Sequence, residues 1–388
     1  MTRSRSFWQG LWTVLLVEMV ALTGCAPLLT PTPWLPSPSF TVTHLPSQTA
    51  SFTRLPSATA SVTASFTVSP SPTQQTGTPT PPTATLTLTH TVTQTPTITP
   101  TPLPVLHELP GGRRWITGLA FDPLGRWLAA SNMDGTLRIW SLEDWTLLRT
   151  LQISAGMNNL AFRHDGQLLA AAADDSTLRL WDLQTGDELP WIGGLPQQAL
   201  SVAFHPDGTQ LAAGCADGSL GVWRLSGEPV LLIKDLELGH IWGVAFSPGG
   251  NLLAAAGQRA IVYDMRQKKL VWQSDWRASA VAFSPDSLRL YVAGEHLEAW
   301  DLKTATRVLA YEGHTDWIWA LTVHMPSERM ASAGQDGTVR LWQMRQPFAW
   351  AVLADSRAPV NAVALSPDGR WLAAGGDDQQ VRIYQLIP

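Results

Sequence analysis

Two adjacent carboxylate pairs, Asp174-Asp175 and Asp377-Asp378, are the first residues in this chain whose spacing suggests chemistry. Paired carboxylates can divide general acid and general base work between them. Both pairs, however, fall at tight turns of a recurring pattern, where an aspartate satisfies turn amides, so the expectation is structural. The nine histidines show no metal-ligand spacing, and His164 and His205 occupy equivalent Phe-x-Pro-Asp-Gly turns. Cys215 lies among small residues, Ala212-Ala213-Gly214-Cys215-Ala216, as a buried structural thiol would. No glycine-rich phosphate loop or nucleophile elbow stands in a strand–turn–helix context. The expectation is a protein with no catalytic residues, no metal and no cofactor.

The elements that carry these residues repeat. The turn after the first strand of each unit begins at Phe121, Phe162, Phe204, Phe246, Phe283, Val323 and Leu365, spaced 37 to 42 residues apart. A third-strand aromatic follows at Trp140, Trp181, Trp223, Tyr263, Trp300, Trp342 and Tyr384, at intervals of 19, 19, 19, 17, 17, 19 and 19. The two short units lose two residues at the second turn. There Gly257-Gln258-Arg259 and Gly294-Glu295-His296 replace the Asp-Gly form seen at Asp134, Asp217 and Asp336. Alternation in Leu137-Arg138-Ile139-Trp140 and Leu178-Arg179-Leu180-Trp181 predicts strands with apolar residues in and arginine out. A period near 40 with four short strands per unit is the signature of a β-propeller blade. One such unit cannot bury both faces of its sheet, so the blades need each other.

Trp181-Asp182, Trp300-Asp301, Tyr263-Asp264 and the full unit from Gly313-His314 to Trp342 resemble WD40 repeats, and the resemblance covers about 284 residues. It implies an all-β fold, a seven-bladed WD40-like propeller over residues 105–388. It also implies that an N-terminal strand, Val105 to Leu109, completes the last blade. The family's hydrogen-bonded tetrad transfers whole to His314, Ser332, Asp336 and Trp342. Elsewhere it decays: Gly112 stands where the first unit's histidine would be, and His240 falls three residues too late relative to Phe246. The family's partner-docking positions lie four and six residues before each turn phenylalanine. They transfer to a rim that includes Trp115, His240, Trp242, Arg277, Trp317, Trp319 and Asn361.

Ahead of the repeats the composition changes twice. Arg3 and Arg5 precede an apolar run from Phe7 to Leu22, too short and interrupted for a membrane span. It ends in Leu22-Thr23-Gly24-Cys25, which resembles the lipobox of bacterial lipoprotein signal peptides. That resemblance makes residues 1–25 a signal peptide and Cys25 the lipid-bearing residue. It places the protein outside the cell membrane, on the outer face of the bacterial cytoplasmic membrane or on the outer membrane. Residues 26–104 are built from Thr, Pro and Ser, with Arg54 the only charge, and read as a disordered linker. In polyproline form at ~3.1 Å per residue it would reach at most about 240 Å, and its composition suits O-glycosylation.

The formal charge is −5; residues 1–104 contribute +2, so the repeats carry −7 with no Lys/Arg block. Nucleic acid is therefore not an expected partner, since binding it requires a positive footprint. The function expected is a non-enzymatic protein-interaction scaffold of the cell envelope, its partner not named by the sequence. A ligand- or glycan-binding lipoprotein using the same tryptophan rim is the alternative, since indoles stack on sugar rings. A hydrolase with a site in the central channel is the third reading.

Overall fold

The computed structural model describes residues 103–386, apart from Asp235, Met325 and Asp355. Cys25 and the linker as far as residue 102 lie outside the described residues. The described chain forms seven antiparallel four-stranded sheets. Their first strands pack side by side in a ring, from Ile116–Phe121 in blade 1 to Val360–Leu365 in blade 7 and back. The fold is therefore the seven-bladed propeller expected from the repeat count.

Blade 7 takes its outer strand from the start of the repeat region, as expected. Val105–Pro110 runs antiparallel to Gln380–Gln385, with Leu109 opposite Val381. This closes the ring and covers an edge that would otherwise offer unpaired backbone groups.

The apolar core is not one cluster but seven, each between two neighbouring blades. Leu119 and Trp140 of blade 1 pack with Ala362, Ala373 and Ile383 of blade 7 and with Leu109 of the closing strand. Leu180 of blade 2 packs with Val202 and Trp223 of blade 3. Because neighbours cover both faces of a blade, second strands lose their period of two. Leu168–Ala173 (LLAAAA) is buried at every position, and its small side chains let the flanking sheets approach.

The same two-sided burial corrects the expectation of outward arginines. The Arg179 and Arg382 side chains are only 12% and 13% exposed. Each is held between blades by carboxylates: Arg179 by Asp175 and Glu188, Arg382 by Asp378 and Glu108.

The second turns explain the Asp-Gly pattern. Gly135, Gly218 and Gly337 have φ of 81°, 84° and 74°, a left-handed conformation that costs glycine nothing. Ser176 and Gln379 hold the equivalent places at φ 63° and 67°. The preceding aspartate anchors such a turn: Asp336 Oδ1 accepts from Thr338 N (3.0 Å) and Thr338 Oγ1 (2.7 Å). Blades 4 and 5 close instead between Ala256 and Ala260 and between Ala293 and Leu297, two residues shorter than the Ser131 to Leu137 closure of blade 1.

Candidate functional site

In blade 6 the sequence-expected tetrad residues come together. Trp342 Nε1 donates to Ser332 Oγ (2.9 Å), which lies 2.8 Å from His314 Nε2. His314 Nδ1 lies 2.9 Å from Asp336 Oδ2. A proton on Nδ1 lets each group donate to the next: Trp342 to Ser332, Ser332 to His314, His314 to Asp336. In blade 1, where Gly112 replaces the histidine, Asn132 takes its space. Its Nδ2 donates to Arg114 O (2.8 Å) and its Oδ1 accepts from Asp134 N (2.8 Å). Its position just before the turn was visible in sequence, but not this use. In blade 5, Trp300 Nε1 donates to Glu298 Oε2 (2.9 Å).

Burial would raise the Asp336 pKa, but the hydrogen bonds from His314 and Thr338 outweigh it and hold the carboxyl well below the usual range. A depressed folded-state pKa contributes stability that is complete above the unfolded value near 3.9. That stability is lost as pH falls through the folded value. Asp336→Asn should therefore lower stability at neutral pH and make the acid-side loss below about pH 4 shallower. Guanidinium midpoints measured across that range test this, and an unchanged acid slope would contradict it.

The carboxylate pairs are turn anchors. Asp174 accepts from Asn158 (2.9 Å), and Asp377 from Asn361 (2.7 Å). Asp378 accepts from Arg382 (2.5 Å) and Ser356 (3.0 Å). For Asp175, burial opposes ionisation, yet bonds from Thr177 and Arg179 hold its pKa below the ordinary value, which suits an anchor and not a proton donor. Cys215 is fully buried, and burial together with Asp217 pushes its thiol up to about 12. Such a thiol is no nucleophile near neutral pH. Among the described residues no three His, Cys, Asp or Glu gather as metal ligands.

The positions four residues before the turn phenylalanine divide into two groups. Thr117 donates to Met157 O (2.6 Å), Asn158 to Ala199 O (2.8 Å) and Asn361 to Ile116 O (3.4 Å). Ser279 makes the same bond to Ile318 O, and Ser201, one residue further on, reaches Ile241 O (3.2 Å). Each of these side chains latches its blade to the first strand of the next. Asn361, read from sequence as a docking residue, is therefore bound into the junction between blades 7 and 1. Leu200, Trp242 and Trp319 stand at this position without latching, and in blade 3 the neighbouring Ser201 latches in place of Leu200. His324 Nε2 still ties blade 6 to Pro367 O of blade 7 (2.9 Å). Between blades 4 and 5 the side-chain hydrogen bond among the described residues is the local one from Ser274 Oγ to Trp276 O (2.9 Å) in the connecting segment.

That unlatched junction carries the cavity. It measures about 210 Å³ and is lined by His240, Trp242, Gln258, Arg277, Trp317 and Trp319, with Gly257 and Ala278 between them. Five of the seven rim residues read from sequence thus converge here. Trp115 is 54% exposed but is not among the lining residues, nor is Asn361. One of the shortened turns borders it, since Gly257 and Gln258 belong to the closure that is two residues shorter than that of blade 1.

The walls are indoles set on edge. Trp242 meets Trp319 at 6.2 Å and 76°, and Trp317 meets Trp319 at 5.9 Å and 62°. His240 packs against Trp242 (5.2 Å) and donates through Nδ1 to Ala216 O (2.5 Å). Trp319 Nε1 donates to Gln335 Oε1 (2.8 Å), whereas the buried Trp317 Nε1 has no acceptor. Arg277 lies over the Trp317 ring (5.3 Å), its Nε paired with Glu295 (2.8 Å). The arrangement offers an apolar corner with one cation at its edge. Its one imidazole, His240, has Nδ1 engaged by Ala216 O.

A family model described as IFT122 first beta-propeller matches residues 103–343, and one described as WD domain, G-beta repeat matches residues 351–385. The chain is 28% identical over 121 residues to the Target of rapamycin complex subunit wat1 of Schizosaccharomyces pombe, covering 30% of this chain and 38% of that protein. It is 27% identical over 159 residues to the guanine nucleotide-binding protein subunit beta of Saccharomyces cerevisiae, covering 37% and 38%. It is 31% identical over 117 residues to the small ribosomal subunit protein RACK1 of S. pombe, covering 29% and 36%. The matches span well under two thirds of these relatives' lengths.

Proposed function

Because the chain belongs to the WD40 propeller family, we propose that it is a non-enzymatic protein-interaction scaffold. Its docking face is centred on the cavity over blades 4 to 6. The observation that carries this reading is the convergence of Trp242, Arg277, Trp317 and Trp319 on one opening. Tryptophan and arginine dominate binding energies where they become desolvated. Trp242 is 41% exposed, an indole held in water where a partner would cover it. The relatives' names, as subunits of a complex, of a G protein and of the ribosome, support the same class of role.

The place of action we propose is the outer face of a bacterial membrane, with Cys25 carrying the lipid and residues 26–104 holding the propeller away from the surface. The support is the basic start, the apolar run and the Leu22-Thr23-Gly24-Cys25 box. A glycan is the alternative occupant of the same rim.

One experiment tests both parts: recovery of partners by the full chain from host envelope extracts, beside Trp317→Ala/Trp319→Ala and Cys25→Ser. The tryptophan variant, checked for native circular dichroism, should lose a discrete protein that the parent retains, with affinity reduced about 30-fold or more. Cys25→Ser should move the protein from the membrane to the soluble fraction and leave recovery intact. Equal recovery by the tryptophan variant would sink the docking face. Unchanged membrane partition of Cys25→Ser would sink the lipid anchor.

A further inference from the structure

Resting on the protein-docking reading, the lining of the cavity carries information about what enters it. At about 210 Å³ it is smaller than the 300–1,000 Å³ of a typical small-molecule pocket, so it suits one inserted side chain. Arg277 is the only Arg, Lys, Asp or Glu in the lining, and its carboxylate partner Glu295 lies outside that lining. Glu295 engages Arg277 through Nε alone, and the two terminal amino groups make no hydrogen bond or ion pair among the described residues. A guanidinium presents donors in a fixed fork that matches a carboxylate.

The remaining polar atoms tilt the same way. Trp317 Nε1 is a donor without an acceptor, and the Gln258 amide is a further polar group in the lining. A sugar ring, whose hydroxyls both donate and accept, needs acceptors in similar number to donors. It also stacks on an open indole face, whereas these indoles meet edge to face. A cation would meet Arg277, which already covers the face of Trp317.

We infer that the cavity receives a single side-chain carboxylate of a partner polypeptide, a glutamate whose methylene stem lies against Trp242 and Trp319 and whose oxygens meet the Arg277 fork. The charge of −7 on the repeats disfavours an acidic tract, so the fitting segment is one glutamate among apolar neighbours. The position of the slot has a structural logic. At the junction between blades 4 and 5 Trp242 takes the place of a latching side chain, the bond there among the described residues is the local Ser274 to Trp276 one, and its turns are the shortened ones. The inserted side chain would occupy the space that a longer turn fills elsewhere.

The test uses the full-length chain on a displayed library of acetylated, amidated heptapeptides. Their centre is Glu, Gln or Lys and their flanks vary among Leu, Val, Phe, Ser and Ala. Glu-centred peptides should be retained about tenfold or more over their Gln counterparts. Arg277→Gln should erase that preference, while Leu124→Ala, on an exposed residue away from the cavity, should keep it. Retention that ignores the central residue yet falls in Trp317→Ala/Trp319→Ala would overturn the carboxylate and leave protein docking standing. Preference for Lys, or no retention of any peptide while the envelope partner is still recovered, would overturn it equally. Binding of soluble oligosaccharides in place of all peptides would overturn both readings.

Discussion

Deletion of Val105–Pro110 should destabilise the whole ring, not one blade. The strand supplies the outer ladder of blade 7 through five residue pairs, and Leu109 packs into the cluster shared by blades 7 and 1. Val105 packs against the cluster shared by blades 6 and 7. Removing a buried leucine of this kind alone costs about 2–5 kcal/mol, and the lost ladder adds to it. The edge of Gln380–Gln385 would then be open to pairing with other chains. Thermal unfolding should shift down by more than 10 °C, roughly what several kcal/mol implies for a domain this large, and size-exclusion chromatography should show association. Leu106→Ser, at a position 46% exposed on the same strand, should change little. A deletion variant that stays monomeric with an unchanged midpoint would show that the ring does not depend on this closure.

Trp342→Ala should be the most damaging single substitution in blade 6, at about 3–5 kcal/mol. Trp342 is fully buried, its ring lies 5.5 Å from Tyr311, and its Nε1 anchors the Ser332–His314–Asp336 chain. Trp342→Phe separates the two contributions. It keeps most of the packing and removes the donor, so it should cost about 1–3 kcal/mol. Ser332→Ala breaks the same chain. The double variant should therefore lose less than the sum of the two, with a coupling of about 0.5–3 kcal/mol. Trp223, buried in blade 3 with no hydrogen bond from its indole among the described residues, supplies the contrast, because its Phe variant should show packing loss without coupling to a neighbouring serine. Strict additivity at Trp342 and Ser332 would mean that the polar chain contributes nothing beyond packing.

The two families of position four residues before the turn show where reading the chain stops. At that offset the sequence places Thr117, Asn158, Ser279, Asn361, Trp242 and Trp319, and a transferred rule treats them alike. The structure separates them by reach. A short polar side chain finds the carbonyl of the next blade's first strand, about 40 residues on, and becomes a latch. The indoles make other contacts: Trp319 donates to Gln335 Oε1 of its own blade, and Trp242 packs against His240 and Trp319. Asn361 was thus assigned to the rim by offset and belongs to a junction by contact. Arg179 differs from expectation for a related reason, since alternation reports which face a side chain takes and not whether that face is covered.

The blade count and the turn at each Asp-Gly were legible from strand alternation and repeat spacing, which are local in the chain. The closing strand and the tetrad of His314, Ser332, Asp336 and Trp342 were carried over from the resemblance to WD40 repeats, and the structure shows both. The intervals of 17 in place of 19 marked the two shortened turns. Only the tertiary structure decided that His240, Trp242, Arg277, Trp317 and Trp319 share one opening while Trp115 and Asn361 do not. That outcome depends on the ring, which brings three blades to one corner, and on a junction where Trp242 stands in place of a latching side chain. Neither is encoded within a single repeat.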